Sequence, residues 1–418
     1  MPITHEKKNV ELVGHNDLQG RGSLQVTARG DWVYVGHHNG RALNPMTGVD
    51  EWNGTSILDV RDPSRPELVA HIPNAEDANA RAVQVVYGFG PRSRDYLIRN
   101  HETSAVWSFE VFDVTDRRRP VKVSEITHGP RGGALGFAHK GWWSNETGYY
   151  YCAAREKGVG GGAYLMIFDV KDPEHPRPVA EFMLPGQEDP TSTLVWHHPI
   201  VDEERHRVYG AYLHGGDVVA VDTTDIRHPA LVWRIAFDPP YRGTHTVAPV
   251  VYEKVPNFGA GALPRTYALV SDEATDIQCE NPIRAKVYML DVTNAEETGV
   301  PFPVETWQVP DGDFCARGAR FGPHQYAETV DGRINRFHDK IAYFAYFNGG
   351  LRVVDISDPY DLREVGHYLP PPGERSFPLA PGQPLAIQFN DVDIDHRGLV
   401  HATDRVGAGL FVLKYTPR

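Results

Sequence analysis

Six segments of the chain repeat one short pattern: an apolar strand that ends on aspartate and runs into a proline-bounded turn. They are TSILDVRDPSRP (55–66), FEVFDVTDRRRP (109–120), MIFDVKDPEHP (166–176), VVAVDTTDIRHP (218–229), VYMLDVTNAEE (287–297) and LRVVDISDPYD (351–361). A seventh, LFVLKYTPR (410–418), keeps the strand but has Lys414 where the others carry Asp59, Asp113, Asp169, Asp222, Asp291 and Asp355. Successive copies lie 53 to 69 residues apart. A repeat of that length holds four short strands with their loops, the unit of one propeller blade. The turn is mechanical: Asp bonds backbone N–H groups just beyond it, and Pro fixes φ and ends the strand.

The ends of the chain complete the count. The seventh repeat stops after its third strand, while VELVGHNDL (10–18) near the N-terminus matches REVGHYL (363–369), a fourth strand. Pairing the two closes a ring and leaves no free sheet edge around it. The expectation is an all-β, seven-bladed β-propeller. It would be one domain over residues 1–418, strand 10–18 joining the C-terminal blade 386–418.

Composition narrows the function. The 40 glycines and 33 prolines favour turns and short strands over long helices. A formal charge of −13 without a basic stripe argues against nucleic acid; Arg117, Arg118 and Arg119 read as solvated turn residues. No apolar run reaches the ~18 residues of a membrane span. MPITHEKKNVELVGH has no apolar signal core, and Cys152, Cys279 and Cys315 show no CxxC spacing, so a reducing, cytoplasmic setting is expected. A Cys279–Cys315 pair bracing the insertions near the fifth and sixth blades is the alternative. Cys152 reads as core, and GVGGGA (158–163) lacks the GK[ST] of a phosphate loop.

The repeats, with GSLQVTARGDWVYVGHH (22–38), GTHTVAP (243–249), SDEATDIQC (271–279), DFCARGARFGPH (313–324) and QFNDVDID (388–395), resemble the LVIVD-repeat family of β-propellers. The resemblance implies the fold and leaves the reaction open.

The chemistry should sit where each blade's first strand opens onto the central channel. Those positions read Gln25, Gln84, His139, His197 or His198, His245, His324, and Gln388 or Asn390 with Asp391. Four consecutive blades thus offer histidine. Neutral imidazole binds Fe, Mn, Zn and Cu, so His139, His197 or His198, His245 and His324 are the expected ligands of a transition metal. The second strand runs antiparallel, which brings its end beside the first strand's start. From those ends come Glu102, Glu156 and Glu273, with His101 and His214, as groups that orient the ligand rings or move protons. His38, Arg155, Arg405, Tyr346, Asn348 and Asp404 are expected to bind substrate. The arrangement is similar to the four-histidine iron site of carotenoid cleavage oxygenases and to the histidine-bound copper of methanethiol oxidase. By that analogy the chain is expected to be a metal-dependent oxidoreductase acting on a small organic substrate, aromatic in one reading. A lyase or hydrolase, a metal-free polar pocket, and a non-catalytic interaction scaffold are the other readings.

Overall fold

The computed structural model describes residues 6–103, 105–237, 243–256, 258, 259, 261 and 264–417. They form seven antiparallel blades around one axis. The inner strands are Ser23–Arg29, Val83–Phe89, Leu135–Trp143, Val195–Trp196 continued by Ile200–Asp202, Thr244–Tyr252, the stretch 324–327, and Phe389–Ile394. Two of them are irregular. Pro199 interrupts the fourth, because proline has no N–H to give a ladder. The sixth holds its neighbour through His324 N–H to the Ala345 carbonyl and Ala327 N–H to that of Tyr343.

The recurring aspartates do the same work six times. Each carboxylate accepts the backbone N–H two residues on: Asp59 from Arg61, Asp113 from Thr115, Asp169 from Lys171, Asp222 from Thr224, Asp291 from Thr293 and Asp355 from Ser357, at 2.7–3.0 Å. These Asx turns end the third strand of each blade on the face opposite the site. At the last blade, Thr416 N–H instead donates to the Asn9 carbonyl, 2.8 Å away. The Arg117–Arg119 run is not simply solvated: Arg117 pairs with Asp95 at 2.6 Å and lies 4.7 Å from the Tyr87 ring centroid.

The ring closes as the sequence implies. Val10–Asn16 pairs antiparallel with Leu410–Tyr415 and supplies the outer strand of blade 7. Unforeseen is Glu6–Lys8, which adds a fifth strand to blade 6 beside Arg363–Leu369. Asn9 makes the step between blades with a left-handed φ of 53°, which asparagine tolerates, and its Nδ2 donates to the Val365 carbonyl at 2.8 Å.

Aromatic side chains fill the gaps between blades. Trp142, Trp196, Tyr209, Tyr212 and Trp233 share one buried cluster, and such rings supply much of the apolar area a sheet interface buries. Cys152 is a buried free thiol. The glycine-rich stretch answers a packing need: a Cβ on Gly162 would lie 1.8 Å from the Leu194 carbonyl oxygen.

Long insertions 273–286, 308–323 and 370–388 cover the site face near blades 5, 6 and 7. Cys279 and Cys315 are joined, with Cα atoms 5.5 Å apart. Gln383 Nε2 donates to the Ile277 carbonyl at 2.6 Å. Disulfides persist in oxidising compartments, so the pairing gives the reducing-compartment expectation no support. No helix among the described residues is long and apolar enough to cross a membrane.

Gly14 marks the closure as a point of tight packing. A Cβ there would lie 2.1 Å from the Pro63 carbonyl oxygen of blade 1. Gly14→Val should therefore cost about 2–3 kcal/mol of unfolding free energy. The exposed neighbour change Leu12→Ala should cost within about 0.5 kcal/mol. Urea denaturation measures both, and equal losses would contradict the assigned role of this contact.

Candidate metal centre

The inner strands bring four imidazoles into one row. Ring centroids are 4.6 Å apart for His139 and His197, 3.9 Å for His197 and His245, and 4.3 Å for His245 and His324. All four side chains are buried. His139 Nε2 lies 3.1 Å from His197 Nε2. Ligand atoms of His197, His245 and Glu273 lie within 4.8 Å of one another.

The outward nitrogens are pinned. His139 Nδ1 is 3.0 Å from Glu102 Oε1, His245 Nδ1 is 2.6 Å from Thr246 Oγ1, and His324 Nδ1 bonds the Asn390 carbonyl oxygen. A bond at Nδ1 fixes the ring and leaves Nε2 to face inward. His245 Nε2 is buried without a hydrogen-bond partner. A lone pair left unpaired in the interior is costly, and a metal ion would satisfy it. The donor set of imidazoles with an adjacent carboxylate suits Fe, Mn, Zn or Cu.

The irregular fourth strand decides between the two adjacent histidines. His197 N–H donates to the Ala211 carbonyl and its ring joins the row. His198 points further down the channel, its Nε2 3.1 Å from Glu328 Oε1 without hydrogen-bond alignment. There it meets a buried polar plug: Lys140 bonds Gln325 and lies 3.9 Å from Asp391, Gln325 bonds Glu328, and Thr329 donates to Asp393 at 2.6 Å.

A second arc faces the imidazoles. The histidines come from blades 3 to 6, whereas Arg405, His38, Arg81 and Arg320 come from blades 7 and 1 and from the loops entering blades 2 and 6. Arg81 pairs with Glu102. Arg320 pairs with Glu273 at 2.7 Å and stacks 5.3 Å from the Phe347 ring centroid. Burial alone would raise the Glu273 carboxyl, but the guanidinium groups of Arg320 and Arg405 hold it low. Glu102 is likewise held low against its burial by Arg81 and His139.

Other expected site residues are engaged elsewhere. Glu156 accepts the N–H groups of Arg131 and Gly133 and shapes their turn. Arg155 donates to the Gly161 carbonyl at 2.8 Å. His101 faces away from Glu102 on its strand, with Nδ1 2.7 Å from Asn74 Oδ1. His214 is exposed in a tight turn at φ 69°. Tyr346 Oη accepts from Val309 N–H in an aromatic cluster, and Asn348 Nδ2 donates to the carbonyls of Phe314 and Gly318. Asp404 caps the N–H groups of Gln388, Val406 and Ala408. Arg81 and Arg320 were not anticipated. They lie in loops just before an inner strand, outside the repeated pattern, although Arg320 falls within DFCARGARFGPH. A separate cavity of 630 Å³, lined in part by Glu204, Tyr252, Arg336 and Lys340, opens on the opposite face and contains none of these groups.

The LVIVD repeat family model matches residues 49–72 and 339–369. The chain is a seven-bladed β-propeller that carries matches to the LVIVD repeat in its first and sixth blades. No curated protein sequence matches it. Among solved structures it is similar to a hypothetical selenium-binding protein from Sulfolobus tokodaii, at 11% identity over 94% of this chain and 92% of that one, TM-score 0.57. It is also similar to the Pseudomonas aeruginosa periplasmic gluconolactonase PpgL, at 13% identity over 88% and 98%, TM-score 0.52. A third likeness is the Myceliophteria thermophila Cps50 (Swd1) β-propeller domain, at 12% over 97% and 99%, TM-score 0.52. At these identities the likeness establishes the fold alone.

Buried neutral histidines tie stability to pH. Burial is the largest cause lowering the pKa of His139, His197, His198 and His245, and it takes His324 to about 3. The unfolded chain protonates these rings near pH ~6.5 while the native state resists. Stability is then complete above that pH and falls as pH drops toward 3, by up to ~1.4 kcal/mol per pH unit for each histidine. Urea midpoints of chelator-treated protein between about pH 7.5 and 4.5 should fall accordingly; a flat profile would refute neutral burial.

Proposed function

We propose that this propeller is a metal-dependent enzyme. Its transition metal is held by His139, His197, His245 and His324, and it acts on a small organic substrate in the funnel above them. The observation that carries this reading is the pinning of His139, His245 and His324 at Nδ1 in a row with His197, where ligand atoms of His197, His245 and Glu273 come within 4.8 Å of one another. A bound metal would supply Lewis acidity or electron transfer at that point. The chain's own residues supply the frame. Glu102 accepts from His139 and is itself held by Arg81, a relay that orients the ring and raises its basicity. Glu273, clamped by Arg320, lies beside His324 and His245 as a further oxygen donor or an orienting anion. The buried plug below closes the channel against water from the opposite face.

An oxidoreductase is our first reading, because Glu102 and Glu273 are each held as anions by an arginine and neither is poised to donate a proton to a leaving group; a lyase or hydrolase that uses the metal as a Lewis acid is the alternative. The reaction partner is a small molecule, not a macromolecule, because the histidines lie in the interior.

Elemental analysis of untagged protein, purified without chelator or nickel resin, tests the assignment. About one equivalent of Fe, Mn, Zn or Cu is expected. His245→Ala should reduce it to below roughly a tenth, Glu102→Gln should weaken retention by about 10–100-fold, and His198→Gln should leave it unchanged. Protein that takes up no metal on reconstitution with each of the four, or a His245→Ala variant that keeps it, would reject the centre.

A further inference from the structure

The guanidinium arc is not electrically balanced. Arg81 and Arg320 are matched by Glu102 and Glu273, but Arg405 forms no ion pair among the described residues. Among the described residues its side-chain bond is Nη1 to Asn390 Oδ1 at 3.1 Å. The cluster is compact by its backbone contacts. Gln388 accepts Arg405 N–H on its carbonyl and Arg320 N–H on its Oε1. His38 N–H donates to the Gly22 carbonyl at 2.9 Å, and a Cβ on Gly22 would lie 2.7 Å from the Arg405 carbonyl oxygen. Gln25 N–H donates to the Arg81 carbonyl at 3.1 Å.

Donors are left over in the same place. Asn390 is fully buried, and its Nδ2 has no partner. Nε of Arg81, Nε of Arg320 and Nε2 of His38 are also buried and unpartnered. Burial, together with Arg320 and Arg81, disfavours the charge on Arg405, opposed by Glu273. Arg405 is half-buried, and a guanidinium without a counter-charge beside buried, unpartnered donors favours an anion. Its planar fork matches a carboxylate with two parallel bonds.

An apolar pair lies beside the first imidazole of the row. Trp107 and Phe137 stack at 5.3 Å between centroids, both half-buried, and Phe137 lies 5.9 Å from the His139 ring. We infer that the substrate is an aromatic carboxylic acid, its carboxylate gripped by Arg405 with help from Arg320 and Asn390, its ring lying toward Phe137 and Trp107 above the imidazole row. This rests on the proposed metal enzyme only for the word substrate; the binding itself requires no metal.

The test is a ligand titration of the full-length, chelator-treated protein with benzoate, benzamide and inorganic phosphate, followed by calorimetry and ligand-observed NMR. Benzoate should saturate one site, with benzamide at least about 10-fold weaker, since it lacks the charge. Arg405→Gln should weaken benzoate by about 100-fold and Arg405→Lys by about 10-fold, the lysine keeping the charge without the fork. Phosphate should bind more weakly than benzoate. Equal affinity for benzoate and benzamide, preference for phosphate, no benzoate binding, or an Arg405→Lys variant indistinguishable from wild type would each overturn the inference. The benzoate–benzamide contrast needs no variant, so a misfolded Arg405→Gln protein would not shelter it. Metal content separates the two readings. Arg405-dependent benzoate binding by a chain that holds no metal keeps this inference and removes the metal centre. One equivalent of metal with no benzoate preference does the reverse.

Discussion

Seven inner strands converge on one axis, and that convergence governs everything at the centre of this molecule. Blades widen outward, so apolar rings can fill the spaces between them; near the axis there is no such room. Side chains from different blades are pressed together whatever their chemistry. Here the rim positions of blades 3 to 6 are imidazoles, brought to centroid spacings of 3.9–4.6 Å. Below them lie Lys140, Gln325, Glu328 and Asp391, linked in one buried polar group, with Asp393 beside them bonded to Thr329. Polar groups in such numbers are tolerated only when they satisfy one another. Burial raises the carboxyls of Glu328 and Asp393 well above the usual range, so the plug holds fewer charges than its residue types suggest.

The blade pattern was legible because it is local. An aspartate that ends a strand caps the next turn through its own side chain, and six copies of that arrangement leave six copies of a motif. Ring closure was legible for a similar reason, since a missing fourth strand at one end of the chain is matched by a spare one at the other. The four histidines could be found because they stand at equivalent positions of consecutive repeats. Parity at strand ends could not be read. Antiparallel pairing tells which strand end lies near the channel, but alternation decides which side chain enters it, and a bulge resets that alternation. In the strand Arg94–Glu102, Asn100 and Glu102 turn inward while His101 turns out toward Asn74. The pairing of Leu135–Trp143 with Tyr149–Glu156 shifts register twice, and Arg155 and Glu156 end up bracing turns. His197 and His198 were inseparable on paper because Pro199 breaks the strand that would have set their phase.

Arg81 and Arg320 were missed for a different reason. Each precedes an inner strand, in a stretch whose length varies from blade to blade, so no repeat position marks it. Loops carry function in this way because the scaffold positions them without dictating their sequence. Their effect is large all the same. They fix Glu102 and Glu273 as anions, and each of those carboxylates touches a histidine of the row.

The funnel is therefore divided by charge as well as by blade. On one side stand neutral imidazoles whose inward nitrogens can accept a cation. On the other stand guanidinium groups that exceed the carboxylates beside them. Each half weakens without its complement: a metal adds positive charge to a region already short of anions, and an organic anion resolves that shortage while it lies against the metal position. The bridging carboxylates Glu102 and Glu273 belong to both halves, bonded to arginine on one side and facing histidine on the other. If the proposed metal and carboxylate both bind, Glu102 and Glu273 are the residues through which a change in one arc would reach the other.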